Sequence, residues 1–234
     1  MKQKKTKPRT LAIALISTFA VLNIFADLFP ITPILGTSGA FFKLGWIFAP
    51  LTGILLGPVA GGISCILASI IEFSFGIQSW IFGILSPFRA GLSAFQAGLL
   101  QRGKWKTASI ILFLLIFSWL SLPSGRNALI VLSFPLSGFF LILFFGSRIE
   151  DYIASSVWKK TAFGFVVTSY CGNISRHLLG NTLLVLLTNM SPIIFVSAIP
   201  LTLIEQTLFA IASSILGMSL MRTRLKAIIR SLKF

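Results

Sequence analysis

Leu44 to Phe75 reads LGWIFAPLTGILLGPVAGGISCILASIIEFSF, and its interpretation decides the fold. The stretch is apolar almost throughout and too long for one ordinary membrane span, which needs roughly 20 apolar residues. Its middle is Gly57, Pro58, Val59, Ala60, Gly61 and Gly62. Proline removes a helical hydrogen bond and glycine permits a tight turn, so the stretch is either one kinked helix or two short helices folded back at Gly57–Pro58.

Composition gives the class within which that choice is made. The 234 residues are 56% hydrophobic and only 11% charged, against about 25% charged in soluble domains. Mean hydropathy is +0.94. The apolar runs have helix length and lack the alternation of a membrane β-barrel. The expectation is an all-α, polytopic transmembrane bundle forming a single integral membrane domain over residues 1–234. Cys65 and Cys171 lie inside apolar runs, in no metal or disulfide pattern, and read as small packing residues.

The net charge of +15 is distributed as topology rather than as a nucleic-acid surface. Lys2, Lys4, Lys5, Lys7 and Arg9 precede the first apolar run, and Arg222, Arg224, Lys226, Arg230 and Lys233 follow the last. Arg102, Lys104 and Lys106 occupy one interruption; Arg148, Lys159 and Lys160 occupy another. Short basic flanks stay cytoplasmic, with attraction to anionic lipid as a secondary effect. If Leu44–Phe75 crosses twice, all sixteen of these residues share the cytoplasmic side. Lys43 and Arg126 are then external, while Arg89 and Arg176 fall inside spans. A single crossing would put the Arg102 loop outside.

The hairpin is therefore expected, with six to eight membrane segments and both termini cytoplasmic (basic tails 1–9 and 222–234). The eight-segment version comprises Thr10–Phe29, the two arms of the hairpin, Ser79–Gln101, Thr107–Leu122, Asn127–Phe145, Thr161–Leu187 and Ile193–Met221. Thr10–Phe29 is too long, and Ile24-Phe25-Ala26 too poor in small residues, for a cleaved signal. Ile31–Lys43 is expected to be an external loop. The pair around Pro123-Ser124-Gly125-Arg126 is either two full spans or a partly embedded pair.

Ionisable residues inside spans are costly and point to function. Asn23 and Asp27 lie near the outer end of the first segment, Glu72 near that of the third, and Arg89 within the fourth. Ser169, Asn173, Arg176, His177, Gly180 and Asn181 recur at spacings of three and four, hence on one helical stripe. Glu205 and Gln206 are at mid-depth in the last segment. Asp27, Glu72, Arg89, Asn173, Arg176, His177 and Glu205 are thus the candidate solute contacts, lining a cavity open to the outside. The alternative is that Asp27–Lys43 and Glu205–Arg176 are structural ion pairs and the stripe packs dry.

Catalysis has little support. Ser175 and His177 are two apart and cannot face each other on a helix, and no Gly-x-Ser-x-Gly occurs. His177 is the single histidine, which removes multi-histidine metal sites. Asp27 and Asp151 fall on opposite sides, so they cannot act as a carboxylate pair. A Walker A pattern is absent, so the chain cannot hydrolyse ATP itself. No enzyme activity, cofactor or metal is expected. Trp46, Trp80, Trp105 and Trp158 suit interfacial belts, while Phe41, Phe42 and Trp80 offer stacking surfaces for a planar solute.

Taken with the basic N-terminus, the hairpin Gly53-Ile-Leu-Leu-Gly57-Pro58-Val-Ala-Gly61 and the proline-led last run Ile199-Pro200-Leu-Thr-Leu-Ile-Glu205 resemble the substrate-binding S components of energy-coupling factor transporters. The likeness covers roughly Thr10–Gln101 and Thr161–Lys226. It implies capture of a vitamin-like organic solute in the outer half of the membrane. Uptake would be driven by two partner ATPases through a scaffold transmembrane subunit. It also implies a docking face on the first helix, carried here by Ala14, Ser17 and Thr18. That family has six helices, so Thr107–Phe145 would be an inserted pair. A stand-alone secondary transporter and a membrane scaffold without solute are the competing readings.

Overall fold

The computed structural model describes residues 8–37, 39–77 and 80–221. Helix α1 (Pro8–Asp27) leads into a two-stranded antiparallel ribbon, β1 (Pro30–Pro33) with β2 (Phe41–Lys43). Helices α2 (Gly45–Leu56) and α3 (Pro58–Ser74) follow. A 3-10 segment, Trp80–Leu85, precedes α4 (Ser86–Gln101), and α5 (Trp105–Ser121) comes next. The short α6 (Pro123–Asn127) and a second 3-10 turn (Leu129–Leu132) join it to α7 (Ser133–Ala154). The chain then forms α8 (Trp158–Thr188), the short α9 (Pro192–Ser197) and α10 (Ile199–Met221).

The decisive stretch folds back on itself. Gly57 takes φ +85°, a conformation that side chains disfavour. Pro58 then opens α3 at a position where no backbone N–H is needed. A β-carbon on Gly61 would stand 2.7 Å from the Cα of Gly53. The Cys65 sulfur lies 4.0 Å from the carbonyl oxygen of Ala49. Both pairs are symmetric about Gly57. In a continuous helix they would be about 12 and 24 Å apart. The hairpin expected from Gly57–Pro58 is present.

Helix α4 completes a unit that only small residues permit. A β-carbon on Gly53 would collide with the Ala94 carbonyl, and one on Gly98 with the Gly57–Pro58 backbone. Such contacts bring helix backbones together and replace side-chain volume with dispersion between main chains. Helix α8 crosses α4 in the same manner: a β-carbon on Gly172 would stand 2.8 Å from the Ser93 carbonyl oxygen. Helix α1 is fastened by hydrogen bonds: Ser64 Oγ donates to the Ile16 carbonyl (2.9 Å), and Asn23 Nδ2 donates to Thr52 Oγ1 (2.9 Å).

The exterior is apolar. Helix α3 buries Ala60, Gly61, Ser64, Cys65, Ala68 and Ser69, and turns Val59, Ile63, Leu67, Ile70 and Ile71 outward. A surface helix in water shows the reverse. Among the described residues, three helical stretches are long and apolar enough to cross a membrane: Thr10–Asp27, Leu129–Ala154 and Ile199–Met221. The molecule is all-helical apart from the ribbon, and its apolar helices and outer surface fit a membrane protein. Helices α2, α3 and α5 are apolar but only 12 to 17 residues long, and α4 and α8 bury several polar side chains.

Other boundaries differ from expectation for local reasons. The expected loop Ile31–Lys43 contains the ribbon, held where the Ile34 amide donates to the Ala40 carbonyl (2.9 Å) and the Leu44 amide to that of Phe29 (3.0 Å). Gly36 and Gly39, both with positive φ, lie in the link between its strands. The first helix ends at Asp27 rather than Phe29, because the residue before Pro30 is driven from helical geometry. The run Ser79–Gln101 kinks at Gly83 (φ 49°) before α4 begins. Helix α7 continues nine residues past Phe145, to Ala154. Most of the basic tails (1–7 and 222–234) lies outside the described residues.

Candidate functional site

The bundle has two unlike ends. At one, the Arg102 guanidinium lies 3.3 Å from where a β-carbon on Gly57 would be, and a β-carbon on Gly103 would meet the Glu150 carboxylate. At the other, the ribbon covers the ends of α1, α7, α8 and α10, and the ionisable residues gather beneath it.

Each is brought there by its own element. Asp27, the last residue of α1, accepts a hydrogen bond from the Gly45 amide (3.2 Å). Its carboxylate therefore sits at the positive N-terminus of α2. A β-carbon on Gly45 would displace it. Arg89, in the first turn of α4, places its guanidinium 3.4 Å from the ring centroid of Phe82. It lies alongside Gly180 of α8, at 3.1 Å from where a β-carbon would be. Arg176 of α8 lies 4.3 Å from the centroid of the Trp46 ring, a cation–π distance. Trp46 is itself buried, edge-on to Phe42 (4.8 Å) and close to Phe209 (6.1 Å) and His177 (6.3 Å). The His177 ring stacks over Phe42 at 6.3 Å.

Opposite charges are not joined in pairs here. Glu205 of α10 accepts a hydrogen bond from the Thr32 hydroxyl on the ribbon, and its Oε2 is buried without a hydrogen-bond partner. The Nε atoms of Arg89 and Arg176 are likewise buried and unpartnered. Among the described residues, no ion pair joins either arginine to Asp27 or Glu205. Lys43 donates to the Ile77 carbonyl rather than to Asp27. The alternative pairs Asp27–Lys43 and Glu205–Arg176 do not form.

Two cavities meet at Arg89. The larger runs under the ribbon between α4, α8 and α10. Arg89, His177, Asn181 and Glu205 line it, among apolar walls that include Phe42, Val131, Phe134, Leu184 and Phe195. The smaller is lined by Asp27, Lys43, Trp46, Phe82, Ser86, Arg89 and Arg176. Concave sites with a few convergent polar groups are the usual form of small-molecule sites. What these groups can do is bind: two guanidiniums offer donors in a fixed fork, and one carboxylate oxygen offers an acceptor.

Five of the seven residues expected to contact a solute thus line a cavity: Asp27, Arg89, Arg176, His177 and Glu205. Glu72 is fully buried in α3 and lines neither. Asn173 sits in the α4–α8 interface, where Ser93 Oγ donates to its Oδ1 (3.3 Å). The stripe on α8 divides accordingly. Its C-terminal part faces the larger cavity, whereas Ser169 hydrogen-bonds Ser213 of α10 (2.9 Å) in a dry interface. Ala14, Ser17 and Thr18 are exposed, on the face of α1 turned away from buried Leu15, Phe19 and Asn23.

Several contributors were missed. Trp46, expected in an interfacial belt, is buried among the charges, and Phe82, Phe209 and Thr32 join it. Their spacing carries no signal, because they reach the site from four separate elements. The arginines were the available clue, since a guanidinium inside an apolar body needs ring faces or acceptors beside it. Phe41 and Phe42, noted as stacking surfaces, line the smaller and larger cavities respectively.

Comparison with known proteins gives one relative to report. The chain is 30% identical over 159 residues to an uncharacterized protein of Methanocaldococcus jannaschii, an overlap of 68% of this chain and 54% of that protein. The match therefore spans about half the relative's length. No family model matches the chain, and no solved structure matches it.

Proposed function

We propose that the chain is the substrate-capture subunit of an energy-coupling-factor-type importer, binding a small organic solute beneath the ribbon. The observation that carries this reading is the pair of cavities at one end of the bundle. Buried Arg89, Arg176 and Glu205 converge on them, each with a side-chain atom that has no hydrogen-bond partner among the described residues. Such groups are expensive in a membrane and are retained where a solute completes them.

In this reading eight helices cross the bilayer (α1 to α5, α7, α8 and α10), with α5–α7 the pair added to a six-helix plan. Arg102, Lys104, Lys106, Arg148, Lys159 and Lys160 belong to the turn end, and only Lys43 and Arg126 to the ribbon end. The positive-inside rule then puts the turn end and both termini in the cytoplasm and opens the cavities outward. The chain performs no catalysis. Energy comes from two partner ATPases through a scaffold subunit that docks on the face of Ala14, Ser17 and Thr18.

The test is purification of the tagged full chain from native membranes after crosslinking, with mass spectrometry of what accompanies it. Recovery of two ATPases and a further membrane subunit, weakened by Ala14→Leu, is expected. Crosslinked material without any ATPase would transfer support to a stand-alone secondary transporter or a scaffold.

A further inference from the structure

The two cavities differ in chemistry, and the difference specifies the solute. The smaller holds Arg89, Arg176 and Lys43 against a single lining carboxylate, Asp27. That carboxylate already accepts the Gly45 amide, and Lys43 is bonded to the Ile77 carbonyl. Ring faces lie against the arginines, Phe82 under one and Trp46 under the other; the Nε of each has no hydrogen-bond partner, and each residue is more than nine-tenths buried. A ring face offsets part of the lost hydration of a guanidinium but accepts no N–H in its plane. The edges are thus left for acceptors, and a carboxylate matches their fork geometry. The larger cavity is mostly apolar and presents one unsatisfied acceptor, Glu205 Oε2.

We infer that the solute is an organic acid whose anionic group seats between Arg89 and Arg176, whose apolar body fills the larger cavity, and whose far end carries an N–H or O–H donor for Glu205. This rests on the substrate-capture reading and gives it a solute class. Arg89, lining both cavities, marks the junction of acid group and body. A cation in the same place would face two guanidiniums, and a fully apolar solute would leave all three buried groups unmet, which is the larger penalty.

Isothermal titration of the full chain in lipid nanodiscs tests this with four probes sharing one body: 3-phenylpropanoate, its methyl ester, 3-phenylpropylamine and 3-(4-hydroxyphenyl)propanoate. The acid is expected to bind at least about tenfold more tightly than the ester or amine, the scale of a charge-assisted hydrogen bond. The phenol should gain about threefold more, a gain that Glu205→Leu, which has no acceptor, removes. Arg176→Gln and Arg89→Gln should each abolish the preference for acid over ester. Size-exclusion profiles and unfolding temperatures of the apo variants show whether they are folded. Where Gln misfolds, Arg→Lys at the same site is used, which keeps the charge, loses the fork and weakens acid binding several-fold. Tighter binding of the amine than of the acid, or no discrimination among acid, ester and amine, overturns the inference. Binding of the acid by a chain that recruits no ATPase would overturn the importer reading and leave the solute class standing.

Discussion

The turn end and the ribbon end bury polar and small residues in opposite ways. Around Gly57 the helices touch main chain to main chain, through Gly53, Gly61, Gly98 and Gly172, and the recess at this end lies farther off, among Ile153, Ser155, Trp158 and Met218. Ser64, Ser93 and Ser169 fill these interfaces, each donating to a neighbouring carbonyl or side-chain oxygen. Under the ribbon the residues are large, two cavities lie among them, and charged groups stay partly unmatched. Close packing with satisfied short side chains makes a rigid base, and from that base a looser, chemically unsaturated site can be held in shape. A buried polar residue thus has no fixed meaning in this bundle. Its role depends on whether its partners are present.

This contrast is open to measurement. Gly98→Val, which drives side-chain atoms into the Gly57–Pro58 backbone, should cost about 3 kcal/mol in denaturant unfolding. Ala198→Leu, an equal insult at the larger cavity's wall, should cost less than about 1 kcal/mol. Equal penalties at the two sites would remove the distinction between a closed base and an open site. Trp46→Leu comes next, at about 2 kcal/mol from lost area and lost cation–π contact with Arg176, read from the same unfolding curves. An unchanged midpoint would mean that Trp46 does not anchor the aromatic cluster.

Thr32→Val removes the hydroxyl that bonds Glu205, and should loosen the ribbon by about 1 kcal/mol. Amide exchange at Ile34 and Leu44 should then quicken about fivefold; protection equal to the parent would show that the latch contributes nothing. Smaller still is the coupling between Ser169 and Ser213. A double-mutant cycle to alanine should return about 0.6 kcal/mol, the typical value for a hydrogen bond between membrane helices. Thr18→Val should change stability by less than about 0.5 kcal/mol, because its hydroxyl is satisfied within α1 by the Ala14 carbonyl.

Much of the closed base was legible in the sequence, and much of the open site was not. Gly57–Pro58 announces its turn, since each residue restricts or frees the backbone wherever it stands. The stripe on α8 was visible as a periodicity, but a periodicity identifies a face without naming what lies opposite. Asn173 meets Ser93 and His177 meets the cavity although four residues separate them. Glu72 shows the same limit: a carboxylate in an apolar run was read as a solute contact, yet it lines neither cavity. The ribbon escaped notice because strands of four and three residues have almost no pattern of their own. What fixes them is long-range, through the Phe29–Leu44 and Thr32–Glu205 bonds. Trp46 was read by its place in the chain, and only the fold shows the guanidinium above its ring.

The short hairpin has a mechanical consequence. Helix α3 has 17 residues and α4 has 16, whereas α7 has 22 and α10 has 23. At 1.5 Å per residue, α3 measures about 26 Å and α7 about 33 Å. In the proposed eight-span arrangement, a hydrocarbon layer about 30 Å deep would be slightly too thick for one flank of the molecule and slightly too thin for the other. Lipid beside Val59, Ile63 and Leu67 would be compressed, and lipid beside Phe140 and Phe144 stretched, at fractions of a kcal/mol per ångström. In that arrangement a body of unequal flanks would rest at a slant, and the geometry of one turn at Gly57 would set the angle at which the protein sits in its solvent.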